Sequence, residues 1–207
     1  MKYSHIWKPI LPQLKEEKMK YSIISNLPID FRYKDYSQKH LKSNADWFYN
    51  NKSERLSILK TAVRSQYQCD FLDYSCDSLI LLAKWLNSNF EKVPLTTSQL
   101  EEKRAKTASY IDIEDWRLSD ISLSMVFDVG VFLGEMMIYN HQGLEWQQCL
   151  KNIKNNDYGH MIIDLGKIYM NPIWLVYIQV LKMADGSFSE TCLSNLYKVW
   201  CDFLHSK

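Results

Sequence analysis

The sequence predicts a mainly α domain of the α+β class, with helices gathered round one central apolar helix and a small antiparallel β element in the C-terminal third. Three observations predict it. The stretch Ser119–Trp146 is almost wholly apolar, carries only Asp128 and Glu135 as interior acids, and breaks at Gly143. A helix that is apolar all round must be wrapped by other elements. Several flanking segments repeat apolar residues at helical spacing. Two short apolar segments, Glu145–Leu150 and His160–Leu165, are joined by the polar stretch Lys151–Gly159, whose Asn155–Asn156–Asp157 run is good turn chemistry.

Taken in order, residues 1–36 read as an N-terminal arm and 37–207 as a single helical globular domain. The tetrapeptide Met-Lys-Tyr-Ser occurs at Met1–Ser4 and again at Met19–Ser22, by chance or because Met19 is a second start. Pro9 and Pro12 oppose a long helix there. Tyr21–Leu27 is either a short strand or an extended lead-in, ended by Pro28. Ser37–Arg64 is helical in pattern through Leu41, Ala45, Phe48, Leu56, Leu59 and Val63, with a break expected near Asn50–Ser53. Asp73–Asn89 is an amphipathic helix capped by Ser75 or Asp77, with Leu79, Leu82, Ala83 and Leu86 as its stripe. Glu91–Pro94 reads as a linker. Thr97 caps a short helix to Lys106, with Glu101 and Glu102 in its first turns. Tyr110–Asp120 alternates apolar residues with acids and is either a loop or one irregular edge. After the central helix and the two short strands, Asn171 and Pro172 open a helix as N-cap and first residue, and Asp185–Gly186 ends it. Ser187 and Glu190 have capping-box spacing for the last helix. Leu193, Leu196, Tyr197, Trp200 and Leu204 form that helix's stripe.

The 207 residues are 46% apolar and 24% charged, an ordinary globular balance, with aromatics high at 14%. Net charge is +1, so composition gives no global case for nucleic acid or an anionic membrane. The charge is uneven. Residues 1–68 hold 13 Lys/Arg against 6 Asp/Glu, and residues 69–135 hold 6 against 12. That is either a basic and an acidic face or a basic lobe packed on an acidic one. Cys69, Cys76, Cys149, Cys192 and Cys201 lack zinc spacing and read as reduced, mostly buried thiols of a cytoplasmic protein. The N-terminus has no signal-peptide apolar region. The apolar runs Ser124–Tyr139 and Pro172–Ala184 are both short of the roughly 20 residues of a membrane span. No membrane, metal or cofactor is expected.

Phosphate-loop, dinucleotide, zinc-protease and nucleophile-elbow motifs are all missing, and the five His are scattered. The best catalytic candidates are Asp128 and Glu135. Seven residues apart on a helix, they share a face about 10 Å apart along the axis. That spacing suits an acid and base of a small hydrolase, with His141 or His160 as possible partners, or two acids neutralised by Arg117, a Lys, a backbone amide or an aromatic donor. Gly130 and Gly134 share a different face, and Gly inside a helix implies close approach of a helix or a Trp. The acidic-aromatic run Asp112, Glu114, Asp115, Trp116 and Asp120 is the best interface candidate, since four acids round a Trp suit a basic partner surface. Asp70, Asp73 and Asp77 form a second acidic cluster. Both runs read equally as solvated loops.

Several motifs carry a resemblance. They are Asp128, Phe132, Leu133, Gly134 and Glu135 on the central helix, then Gly143 and Trp146, then Asn171 and Pro172, then Asn195, Leu196, Tyr197 and Trp200. Upstream, Tyr74, Ser75, Ser78, Leu79, Leu82 and Trp85 extend it. Over about residues 70–204 the chain resembles a loose group of bacterial proteins of similar length that look like immunity proteins of polymorphic toxin systems. The resemblance implies a cytoplasmic, non-enzymatic protein that binds a cognate toxin domain and neutralises it by stoichiometric occlusion. A structural or regulatory adaptor is the other non-catalytic reading.

Overall fold

In the computed structural model, residues 21–28, 31–68, 72–166 and 168–205 are described. They form six helices and five short strands: α1 (Gln38–Tyr67), α2 (Cys76–Asn89), β1 (Lys92–Pro94), α3 (Thr97–Lys106), β2 (Trp116–Leu118), α4 (Asp120–Asn140), β3 (Trp146–Gln148), β4 (Met161–Asp164), β5 (Tyr169–Met170), α5 (Pro172–Ala184) and α6 (Cys192–His205). The fold is α+β, built round α4.

α4 starts at Ser119, whose hydroxyl accepts from the Ser122 amide. Fourteen of its residues from Ser122 to Met137 are wholly enclosed along with Asp128, because α5 lies across one side and α1 and α2 cover others. By length and composition α4 is apolar enough to cross a membrane, yet 83% of its most apolar window is buried inside this protein. Its two glycines set the packing. A Cβ on Gly130 would stand 2.5 Å from the Ile173 Cα of α5, and one on Gly134 would stand 2.0 Å from the Trp146 ring. A helix and a Trp therefore make the close approaches that these positions predict.

β3, β4 and β5 form an antiparallel sheet, with Trp146 opposite Ile163 and Ile163 opposite Met170. The first two strands match the expectation, and β5 adds an edge. Asn171 caps α5 through the Trp174 amide, with Pro172 as its first residue.

Several local expectations are corrected. α1 runs unbroken through Asn50–Ser53, because Asn51 bonds back to the Trp47 carbonyl at 2.8 Å and Lys52 and Arg55 find partners on α4. Thr96, not Thr97, caps α3, in a capping box with Gln99. Residues 92–94, read as a linker, form β1 and pair antiparallel with β2. Ser187 does not cap α6. Its amide bonds the Lys182 carbonyl at 2.8 Å and closes α5, where Gly186 takes φ +82°. Glu190 instead pairs with Lys84 at 2.9 Å. Of the cysteines, Cys149 is buried and Cys76, Cys192 and Cys201 are half-buried free thiols, while Cys69 lies outside the described residues.

A boundary at residue 36 does not coincide with a packing boundary. Tyr21, Ile24 and Phe31 are all core residues. Residues 21–24 are an extended lead-in, stitched to α4 by the Ile24 amide donating to Ser124 Oγ at 2.9 Å.

Candidate functional site

The two acids of α4 face α1. Asp128 is fully buried and receives Arg55 at two points, Nε to Oδ1 at 2.9 Å and Nη2 to Oδ2 at 2.6 Å. The Tyr21 hydroxyl donates to the same carboxylate. Arg55 also holds the lead-in through the Ser22 carbonyl at 2.9 Å. Burial pushes Asp128 up to about 6, against the opposing pull of Arg55 and Tyr21. Burial and the neighbouring carboxylate drive Tyr21 well above the ordinary tyrosine range. Arg55 thus neutralises Asp128 where water is excluded, and the Tyr21 hydroxyl adds a further hydrogen bond to the carboxylate.

Glu135 is less enclosed. Its Oε1 accepts from Lys52 Nζ at 2.6 Å and from the Trp146 indole at 2.7 Å. The partners of the two acids are therefore Arg55 and Lys52, not Arg117. At these positions the basic N-terminal third is packed on the acidic middle third.

The histidines offered for a catalytic site lie elsewhere. His141 is 3.4 Å from both the Tyr197 hydroxyl and the Cys201 thiol, and burial and His205 lower its pKa. His160 packs edge-on against Tyr33. A cleft of about 490 Å³ beside α1 is lined by Arg55 but by neither Asp128 nor Glu135. The geometry of both acids is that of structural ion pairs. Among the described residues, no group of three His, Cys, Asp or Glu is placed to hold a metal.

The acidic-aromatic run belongs to a distinct unit. β1 and β2 pair at its base, and the Leu95 amide bonds the Asp115 carbonyl at 2.7 Å. Between them, α3 and the 107–115 loop form an arm. α3 has no buried residue. Lys103 Nζ reaches the Glu114 carbonyl at 3.0 Å and ties the loop to the helix. Asp112, Glu114 and Asp115 are exposed on this arm.

The remaining predicted residues are spread out. Trp116 sits half-buried in β2 with Lys92 Nζ 4.6 Å above its ring, and its indole donates to Glu114 Oε2 at 2.8 Å. Asp120 lies in the first turn of α4 and pairs with Arg117 at 2.7 Å. Asp73 serves α2, where it accepts from the Ser75 amide and the Ser78 hydroxyl, and the Ser75 and Ser78 side chains, with a smaller part from the Ser75 amide, lower its pKa. Asp77 is exposed in the first turn of α2. Asp70 lies outside the described residues. The structure adds two residues that the sequence reading passed over. Tyr110 is 87% exposed and Ile111 50%, directly beside Asp112. Their signal was present, as two consecutive large apolar side chains at the head of the acidic run.

Comparison with protein-family models, with curated proteins and with solved structures gave no match in any of the three.

Proposed function

We propose that this chain is a cytoplasmic partner-binding protein of the immunity type, which neutralises a cognate bacterial toxin domain by covering its active site. The observation that carries the reading is the arm at 95–115. It buries none of α3, yet presents Tyr110 and Ile111 beside Asp112, Glu114 and Asp115. Apolar side chains that contribute nothing to the core are supported by a partner that covers them. The acids round them suit a basic surface, such as an enzyme cleft that binds a polyanion. Asp112 and Asp115 have no side-chain partner among the described residues, whereas Glu114 and Asp120 are engaged locally. The first pair is therefore the one available for steering.

The test is calorimetry between the purified chain and the toxin domain encoded beside its gene. A one-to-one complex at nanomolar affinity is expected. The charge reversals Asp112→Lys and Asp115→Lys should together slow association by about tenfold at low salt, with the effect shrinking as salt rises. Absence of a complex overturns the reading. A complex whose kinetics ignore both reversals moves the contact off the arm.

A further inference from the structure

Two cysteines, a histidine and a tyrosine gather where α2 and α6 meet the C-terminal end of α4. His141, which caps that end, has its Nε2 3.4 Å from the Cys201 thiol and 3.4 Å from the Tyr197 hydroxyl, both on α6. Its neighbour Asn140 donates at 3.1 Å to the carbonyl of Tyr74, two residues before Cys76. The tip of α4 therefore holds the start of α2 and the last turns of α6 together.

The packing of α2 against α6 brings the two thiols to one level. Lys84 of α2 pairs at 2.9 Å with Glu190, just ahead of α6. From that pair α2 runs back eight residues to Cys76, about 12 Å, and α6 runs on nine residues from Cys192 to Cys201, about 14 Å. Cys76 also acts on the charge of both Cys201 and Tyr197. Cys76 and Cys201 are half-buried free thiols within reach of a small reagent, whereas Cys149 is buried and Cys192 lies at the other end of α6.

The surroundings supply a base. Burial raises the pKa of the Cys201 thiol, Tyr197 lowers it by hydrogen bonding, and Cys76 and Asp202 raise it further. The thiolate is the nucleophile, so Cys201 needs a proton acceptor. Burial, then His205, lower the pKa of His141, which keeps its imidazole neutral and able to accept. His205 itself is turned to its own helix, with Nδ1 donating to the Cys201 carbonyl at 2.7 Å.

We propose that Cys201 and Cys76 form a peroxide-responsive pair whose disulfide fastens α6 to α2. His141 takes the Cys201 proton, and the thiolate sulfur attacks a hydroperoxide. An S–O bond forms, the O–O bond breaks, and the leaving oxygen departs as water or alcohol with the proton from His141. The Cys76 sulfur then attacks the sulfenic acid. The S–S bond forms, the S–O bond breaks, and hydroxide leaves as water with the Cys76 proton. Two thiols are oxidised and one hydroperoxide is reduced.

The experiment treats the full-length chain with hydrogen peroxide at neutral pH and maps the products by mass spectrometry. A disulfide between Cys76 and Cys201, reversed by dithiothreitol, is expected as the first product. Cys76→Ser should stop at a Cys201 sulfenic acid that dimedone captures. His141→Gln should slow oxidation by about tenfold at neutral pH and converge on the wild type above about pH 9, where the thiol ionises unaided. A first disulfide through Cys69, Cys149 or Cys192 overturns the pair, as does the absence of any disulfide. A His141→Gln chain with the rate and pH profile of the wild type overturns the part given to His141.

Discussion

The indole N–H of Trp146 donates to Glu135 at 2.7 Å, while the ring of the same Trp occupies the space that a side chain at position 134 would need. Adjacent residues of α4 thus serve one aromatic, Glu135 by accepting its hydrogen bond and Gly134 by standing clear of its ring. Gly134→Ala should destabilise the fold by about 1–3 kcal/mol from overpacking, even though Ala is worth about 1 kcal/mol more than Gly inside a helix. Urea unfolding would show it. A more stable variant would mean that Trp146 has room to move. Gly130→Ala should behave likewise, because the atom in its way is backbone of α5.

Arg55 and Asp128 are to be judged as a pair. Arg55→Met strands a buried carboxylate and should cost about 3–5 kcal/mol. The same substitution beside Asp128→Asn should cost about 1–3 kcal/mol less, since no charge is then left alone. Equal costs in both backgrounds would mean that Arg55 acts mainly through Ser22 and the lead-in.

The pH response of the same group has a definite sign. Asp128 is raised from 3.8 to about 6 by burial, so the folded chain holds this proton more tightly than the unfolded chain. The associated stability is fully present below about pH 4 and is lost as pH rises through about 6. Relative to Asp128→Asn, the wild type should therefore lose stability across that window and level off above it. Denaturant midpoints of the two chains at three pH values would test this. The opposite slope would show that the attraction of Arg55 outweighs burial.

On the arm, Tyr110→Ser with Ile111→Ser should leave the unfolding free energy within about 0.5 kcal/mol of wild type, because exposed residues away from the core contribute little. On the function proposed above, the same double change should weaken binding of the partner by about tenfold or more. A large loss of stability would mean that these side chains pack onto the domain.

The framework was readable where the signal is local. Ser75 as a cap, Asn171–Pro172 as a start, and the demand of Gly130 and Gly134 for close neighbours each follow from a few consecutive residues. What escaped is non-local or very short. Arg55 stands 73 positions from Asp128, and nothing in the Lys-rich face of α1 distinguishes it from solvated neighbours. β1 is three residues long and ends in Pro94, so it shows no period-two pattern to reveal its pairing with β2. That pairing is what turns an acidic run into an arm. The interface candidates were therefore identified by residue type without the geometry that separates Asp112 and Asp115 from the locally engaged Glu114 and Asp120. The cleft was not foreseen, since its walls come from segments far apart in the chain.

The closure of the arm by β1 and β2 has an evolutionary consequence. A unit attached at one base and absent from the core can change its residues without disturbing how the rest of the chain folds. Lineages of this protein would be free to change residues 95–115 while α4 and its neighbours stay fixed. Grafting that stretch between variants should leave the recipient's melting behaviour intact.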